Sequence, residues 1–273
     1  METKTLTTQD GMRLTYYVAG KGDQTLFIAN VPGLNIRFWF PIMEQLSKKY
    51  RLIGFEYRGF PGNKQLLSQE QMEVDRIVED VEAIMDAEVV QKVHWLSWCA
   101  GLLIPQIFIE RHPGRTQSMV MLSTPLGHPR MNYKPPKGDF YGNLSILQKM
   151  VEEAPEVAGR ICKMMRELGS IPSTKFFQSI QPDDPKLKSV IEIMDILEQE
   201  SSMSQLAFYQ IDTPIGLRNY LNLSTSFSIQ NDGGNSWMNY PILLLNGEND
   251  GFLHRPILGE LDWYIRIKEC VIP

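Results

Sequence analysis

The chain has 273 residues, a formal net charge of −5 and a pI near 5.5, with 43% hydrophobic and 22% charged residues. That is enough for one large domain or two small ones around a substantial core, with an ordinary soluble composition. The acidic balance argues against nucleic acid or an anionic membrane as the main partner, and no apolar run of 18 or more residues suggests a membrane span.

Met1-Glu2-Thr3-Lys4-Thr5 contains no apolar h-region, so no secretory signal is expected. The 3 cysteines, Cys99, Cys162 and Cys270, are odd in number and widely spaced, which fits neither a disulfide framework nor a zinc site. A reducing, cytoplasmic setting is the natural expectation.

Taken in order, residues Lys4 to Val18 alternate around Asp10-Gly11 and predict a hairpin. Thr25-Leu26-Phe27-Ile28-Ala29 reads as a buried strand, followed by the loop Asn30-Val31-Pro32-Gly33-Leu34-Asn35. A helix begins near Pro41, with Ile42, Met43 and Leu46 expected inward. Arg51 to Glu56 is another buried strand, running into the loop Arg58-Gly59-Phe60-Pro61-Gly62-Asn63. Ser68 and Gln71 form a capping-box signature. Behind it Val74, Ile77, Val78, Val81, Ile84 and Met85 trace one helical face.

The stretch from Lys92 to Leu102 predicts a buried strand turning sharply into a helix, with Cys99 at the tip of the turn. Ser97, Ala100 and Gly101 are small, as such a turn requires where strand and helix pass in contact. Pro105 falls inside the following helix and should cost a hydrogen bond or bend it. The helix stops at His112-Pro113-Gly114, and Ser118 to Leu122 is the next strand. Strands alternating with helices imply a mostly parallel sheet covered on both faces.

Beyond Pro125 amphipathic helices take over: Asn143 to Glu153, Pro155 to Leu168, and a third starting at Asp184-Pro185. The alternation returns at Pro241-Ile242-Leu243-Leu244-Leu245-Asn246, then a helix near Pro256 to Ile265 and a last strand, Glu269 to Ile272. The expected organisation is therefore residues 1–124 as the first part of an α/β core, 125–240 as a helical cap insert and 241–273 as the rest of the core.

Ser97-Trp98-Cys99-Ala100-Gly101 resembles the nucleophile elbow G-x-S-x-G of the α/β-hydrolase superfamily, with serine at the first glycine and cysteine at the nucleophile. Together with the strand order, the helical insert and the late Gly247-Glu248-Asn249-Asp250, the resemblance extends over essentially the whole chain from about Thr15. It implies an α/β-hydrolase fold with helices on both faces of the sheet, Cys99 as nucleophile and Asp250 as the triad acid. Residues Asn30 to Asn35 would be the oxyanion loop. Alignment from the next helix puts Pro32 at the donor, which has no N–H; placing Gly33 at the family glycine makes Leu34 the donor, beside Ala100. Trp98, Asn35 and His128 are the candidate substrate contacts, with core filler as the competing reading for Trp98.

The resemblance also implies a histidine after the eighth strand, and the sequence ends at Pro273, so the base is expected in residues beyond it. His128 and His254 are possible substitutes, whereas His94 and His112 read as structural. The implied chemistry is a cysteine acyl hydrolase or acyltransferase acting on a thioester, lactone or activated ester, with no metal or organic cofactor. Its partner would be a small-molecule or carrier-bound acyl substrate. A thiolate at a helix N-terminus, where the dipole favours ionisation, forms a thioester intermediate open to amines and thiols. The alternatives are a degenerate hydrolase that binds a ligand or partner, and lyase or cofactor-free oxygenase chemistry on the same fold.

Overall fold

Gly11 sits at φ +81 and turns the chain from strand β1 (Glu2–Thr7) into β2 (Arg13–Ala19), the hairpin that opens the fold. In a computed structural model that describes residues 1–60, 65–123, 140–168, 213–229, 236–247 and 267–272, this hairpin is one edge of an eight-stranded sheet. The remaining strands are β3 (Thr25–Ala29), β4 (Arg51–Phe55), β5 (Val93–Trp98), β6 (Thr116–Leu122), β7 (Ile242–Gly247) and β8 (Ile267–Ile272). Their spatial order is β1-β2-β4-β3-β5-β6-β7-β8. Only the β1–β2 and β2–β4 pairs are antiparallel.

Alternation along β5 divides the core in two. Val93 and Trp95 join the cluster that contains the helix α2 (Val74–Ala87) and α3 (Leu103–Arg111). Leu96 and Trp98 join the one built on α1 (Phe40–Leu46) and the 3₁₀ turn Ile36–Trp39 before it. The six expected α2 residues from Val74 to Met85 are all buried, each worth about 1.5–3 kcal/mol relative to exposure. The capping box closes in both directions: Gln71 N–H donates to Ser68 Oγ (3.2 Å) and Ser68 N–H to Gln71 Oε1 (3.0 Å). It spans the entry to a short 3₁₀ turn, Glu70–Met72, one step before α2.

Three expectations change. Ile42 is exposed while Met43 is buried, because α1 is short and only one of its faces meets the sheet. Pro105 breaks nothing: Cys99–Leu102 is a 3₁₀ turn, so Pro105 falls in the first turn of α3, where N–H groups lack α-helical partners anyway. A helix that periodicity did not suggest spans Pro214–Ile229, here α6, after α4 (Phe140–Glu153) and α5 (Pro155–Leu168). It packs on α4, α5 and α2. Its polar residues Asn219, Asn222, Ser224, Thr225 and Ser226 are buried together with Leu217, Leu221 and Leu223, which hides any amphipathic stripe. The expected helices at Asp184 and Pro256 lie outside the described residues.

Candidate active site

Trp98 is extended (φ −125, ψ 129), and the next residue, Cys99, stands at φ +49 before the chain enters its 3₁₀ turn and α3. A left-handed backbone costs a residue with a Cβ about 1–2 kcal/mol, so the surrounding packing must impose it. The source of that constraint is Gly101. A Cβ there would lie 2.3 Å from the Ala29 carbonyl oxygen and 2.4 Å from that of Asn30, so the start of the helical segment presses directly on the end of β3. Cys99 is left half-exposed at the sheet edge. Ser97, paired in register with Ala29 and Met121, is fully buried, and its Oγ meets no hydrogen-bond partner among the described residues.

Beside the elbow lies the loop from Asn30 to Asn35. Asn30 is buried, donates from Nδ2 to the Leu34 carbonyl (2.7 Å) and accepts the Trp39 indole N–H (2.8 Å). The Tyr57 hydroxyl donates to the Asn30 carbonyl. Between these anchors Val31-Pro32-Gly33-Leu34 is a tight turn, with Gly33 at φ +76 and Leu34 N–H donating to the Val31 carbonyl at 3.1 Å. Proline second and a left-handed glycine third is the composition of a type II turn. The expected role of Leu34 thus meets a physical obstacle: its N–H is engaged inside the turn. Asn35 is occupied as well, its Oδ1 accepting Arg37 N–H at 2.9 Å as an N-cap.

A buried ion pair holds the loop after β4. Arg58 donates to both Asp80 oxygens, to Asp10 and to the Gln71 carbonyl, and Arg58 and Asp80 are buried. Burial pushes the Asp80 carboxyl up to about 6 against the pull of Arg58. The segment that follows fastens α6. Asn219 accepts Leu67 N–H (2.9 Å) and donates to the Gln65 carbonyl (3.1 Å). Asn222 donates to the Leu67 carbonyl (3.0 Å), and Gln69 donates back to the Asn222 carbonyl (2.9 Å). Next to Asn219, the Tyr220 ring covers Gly33: a Cβ on that glycine would come within 2.3 Å of the ring.

Cys99 and Ala100 are thus together at the end of the central strand β5, next to Gly101, which touches the Ala29 and Asn30 carbonyls that lead into the turn of residues 31–34. Trp98 points to the other face of the sheet, stacked on Phe38 (5.0 Å) and edge-on to Trp39 (6.2 Å). His94 hydrogen-bonds Ser118 (2.7 Å) near the opposite end of β5, roughly 16 Å from Cys99 at strand rise. His112 sits against Glu82 (2.8 Å) past the end of α3, roughly 20 Å along the helical segment. Neither can reach the sulfur. Asp250, His128 and His254 lie outside the described residues. Trp98 and Leu122, the last residues of β5 and β6, stand in register with Leu245, and β7 runs two residues past that level to Gly247.

Reading the sequence missed Tyr220, Asn219 and the Arg58–Asp80 pair. The one signal for α6 was Thr213-Pro214, a capping residue before a proline at the first position; Thr213 Oγ1 indeed accepts Gly216 N–H at 3.0 Å. Among the described residues no group of three or more His, Cys, Asp or Glu is placed to hold a metal ion, and no helix is long and apolar enough to cross a membrane.

Residues 29–273 match the family model described as alpha/beta hydrolase fold. A Caulobacter segnis protein named for carbamate hydrolysis, RutD, is 25% identical over 102 residues, which is 37% of this chain and 38% of that one. The matched region therefore spans well under half of that relative's length. A thermophilic esterase from Thermogutta terrifontis superposes with a TM-score of 0.64 at 16% identity, over 100% of this chain and 90% of the esterase. The Cif epoxide hydrolase from Acinetobacter nosocomialis gives 0.65 at 14%, over 100% and 82%. At such identities the likeness concerns the fold alone.

Proposed function

This chain is a member of the alpha/beta-hydrolase family, and from that premise we propose that it is a cysteine-dependent acyl hydrolase or acyltransferase acting on a thioester, lactone or activated ester. The reading rests on one observation: a half-exposed cysteine, not a serine, occupies the strained tip between β5 and α3, at φ +49. Val89 and Ser123 share the left-handed backbone; what sets residue 99 apart is a thiol at the strand-to-helix turn, where strain is often kept for function and a sulfur can serve as nucleophile.

In this scheme the Cys99 sulfur attacks the acyl carbon, the carbonyl electron pair moves to oxygen, and Ala100 N–H donates to the resulting oxyanion. Collapse expels the leaving thiol or alcohol and leaves an acyl-Cys99 thioester. Asp250 orients a histidine that takes the thiol proton and returns it to the leaving group. Water, an alcohol or an amine then resolves the thioester. Helices of the 125–240 insert cap the acyl pocket, and no metal or organic cofactor enters the scheme. A thiol nucleophile suits a reducing compartment such as the cytoplasm.

The test is intact-mass detection of an acyl adduct on Cys99 with short acyl-thioester and activated-ester probes, together with turnover before and after iodoacetamide labelling. Turnover that survives complete labelling of Cys99, or survives Cys99→Ala, rules the mechanism out. A second reading, a pocket that binds a ligand without chemistry, is favoured by Pro32 standing in the oxyanion loop with the Leu34 N–H engaged. Saturable binding of an acyl probe with no adduct would select it.

A further inference from the structure

The elbow offers Ala100 N–H to an oxyanion, but the facing turn offers little. Pro32 has no N–H, and the Leu34 N–H is held by the Val31 carbonyl. Tetrahedral intermediates of acyl transfer are ordinarily held by two or more donors, and loss of one is severe. The side chain that lies over this turn comes from another element. Tyr220 of α6 packs its ring on Gly33, and glycine is what allows the approach: a Cβ would come within 2.3 Å of Cδ2 and 2.7 Å of Cε2. The turn is in turn pressed to the elbow through Gly101 and the Asn30 carbonyl. The elbow touches the start of the loop at Ala29 and Asn30, and Tyr220 touches its glycine three residues on.

We infer that the Tyr220 hydroxyl is the second donor to the oxyanion formed on Cys99, in place of a loop N–H. The inference rests on the acyl-Cys99 reading. Asn219, clamped to the backbone of Gln65 and Leu67, fixes the helical position from which Tyr220 reaches the site. The phenol suits this role. Burial raises its pKa, a hydrogen bond with Ser224 opposes this, and negative charge on Cys99 raises it again. The phenol therefore stays protonated. The step balances without a further reactant. The C–S bond forms as the thiol proton passes to the histidine, the carbonyl pair becomes the oxyanion held by Ala100 N–H and Tyr220 O–H, and collapse restores C=O as the leaving group departs with that proton. Tyr220 keeps its proton throughout.

The test compares wild type with Tyr220→Phe, which retains the ring on Gly33. Two rates are measured on the same samples: alkylation of Cys99 by iodoacetamide, which develops no oxyanion, and acylation by an acyl-thioester probe, which does. The inference expects acylation to fall about 100- to 1,000-fold, in kcat more than in KM, with alkylation and melting temperature unchanged. Equal acylation rates in the two proteins overturn the role of Tyr220 alone. Parallel loss of both rates makes Tyr220 structural and also overturns it. A wild type that forms no acyl-Cys99 adduct removes the parent reading and this one with it.

Discussion

Replacing Cys99 by alanine and by glycine in parallel isolates the backbone strain at the elbow. The two variants both lack the sulfur and differ by one Cβ. At an ordinary backbone position alanine is the more stable of such a pair, by about 0.4–1 kcal/mol, because glycine loses more chain entropy on folding. Cys99 stands at φ +49, where a Cβ crowds the following carbonyl at a cost of about 1–2 kcal/mol. The ordering should therefore reverse. Subtracting the entropic term from the strain term leaves Cys99→Gly more stable than Cys99→Ala by roughly 0.5–1 kcal/mol. Equilibrium urea unfolding of the two proteins, with equal m-values, reads this difference as a shift in midpoint. If alanine proves equal to or more stable than glycine, residue 99 is not held in the left-handed region, and the fold does not lift a nucleophile there.

Removing one partner of the buried Arg58–Asp80 pair, as in Asp80→Ala, should destabilise the protein by about 3 kcal/mol in thermal or urea melts, since it leaves the buried guanidinium with only Asp10 and the Gln71 carbonyl. Ser97→Ala, which deletes a buried hydroxyl with no partner among the described residues, should leave stability unchanged or raise it by about 1 kcal/mol in the same melts. Glu88 supplies a pH dependence. Burial would raise its pKa, but the Tyr16 hydroxyl, Lys4 and Arg51 together outweigh burial and hold it below the usual 4.5. A lowered folded pKa means that its contribution is complete above the unfolded value and is lost as pH falls through the folded one. The stability gap between wild type and Glu88→Gln should therefore be constant above about pH 5 and close in acid, followed by melts across a pH series.

How much of this was legible beforehand differs by element. The hairpin at Asp10-Gly11, the strands and the α2 face were readable because each has a local period, 2 or 3.6, and a turn residue at its end. Pro155–Leu168 could be read for the same reason. The elbow could be read because small residues flank its tip. By contrast α6 carries no stripe, since its polar residues are buried, with Asn219, Asn222 and Thr225 set against Leu67 and Gln69, more than 150 positions away in sequence.

The sequence by itself therefore determined the α/β architecture, the place of the turn and the identity of the atom at its tip, all of which depend on neighbours along the chain. Only the tertiary structure decided what surrounds that sulfur. It spends Leu34 N–H inside a turn, sends Trp98 to the far face, makes Asn35 a cap and brings Tyr220 onto Gly33 from a distant helix. Hydrogen-bond donors and ring contacts are assigned by which backbones meet in space, and no local pattern of residues encodes that meeting.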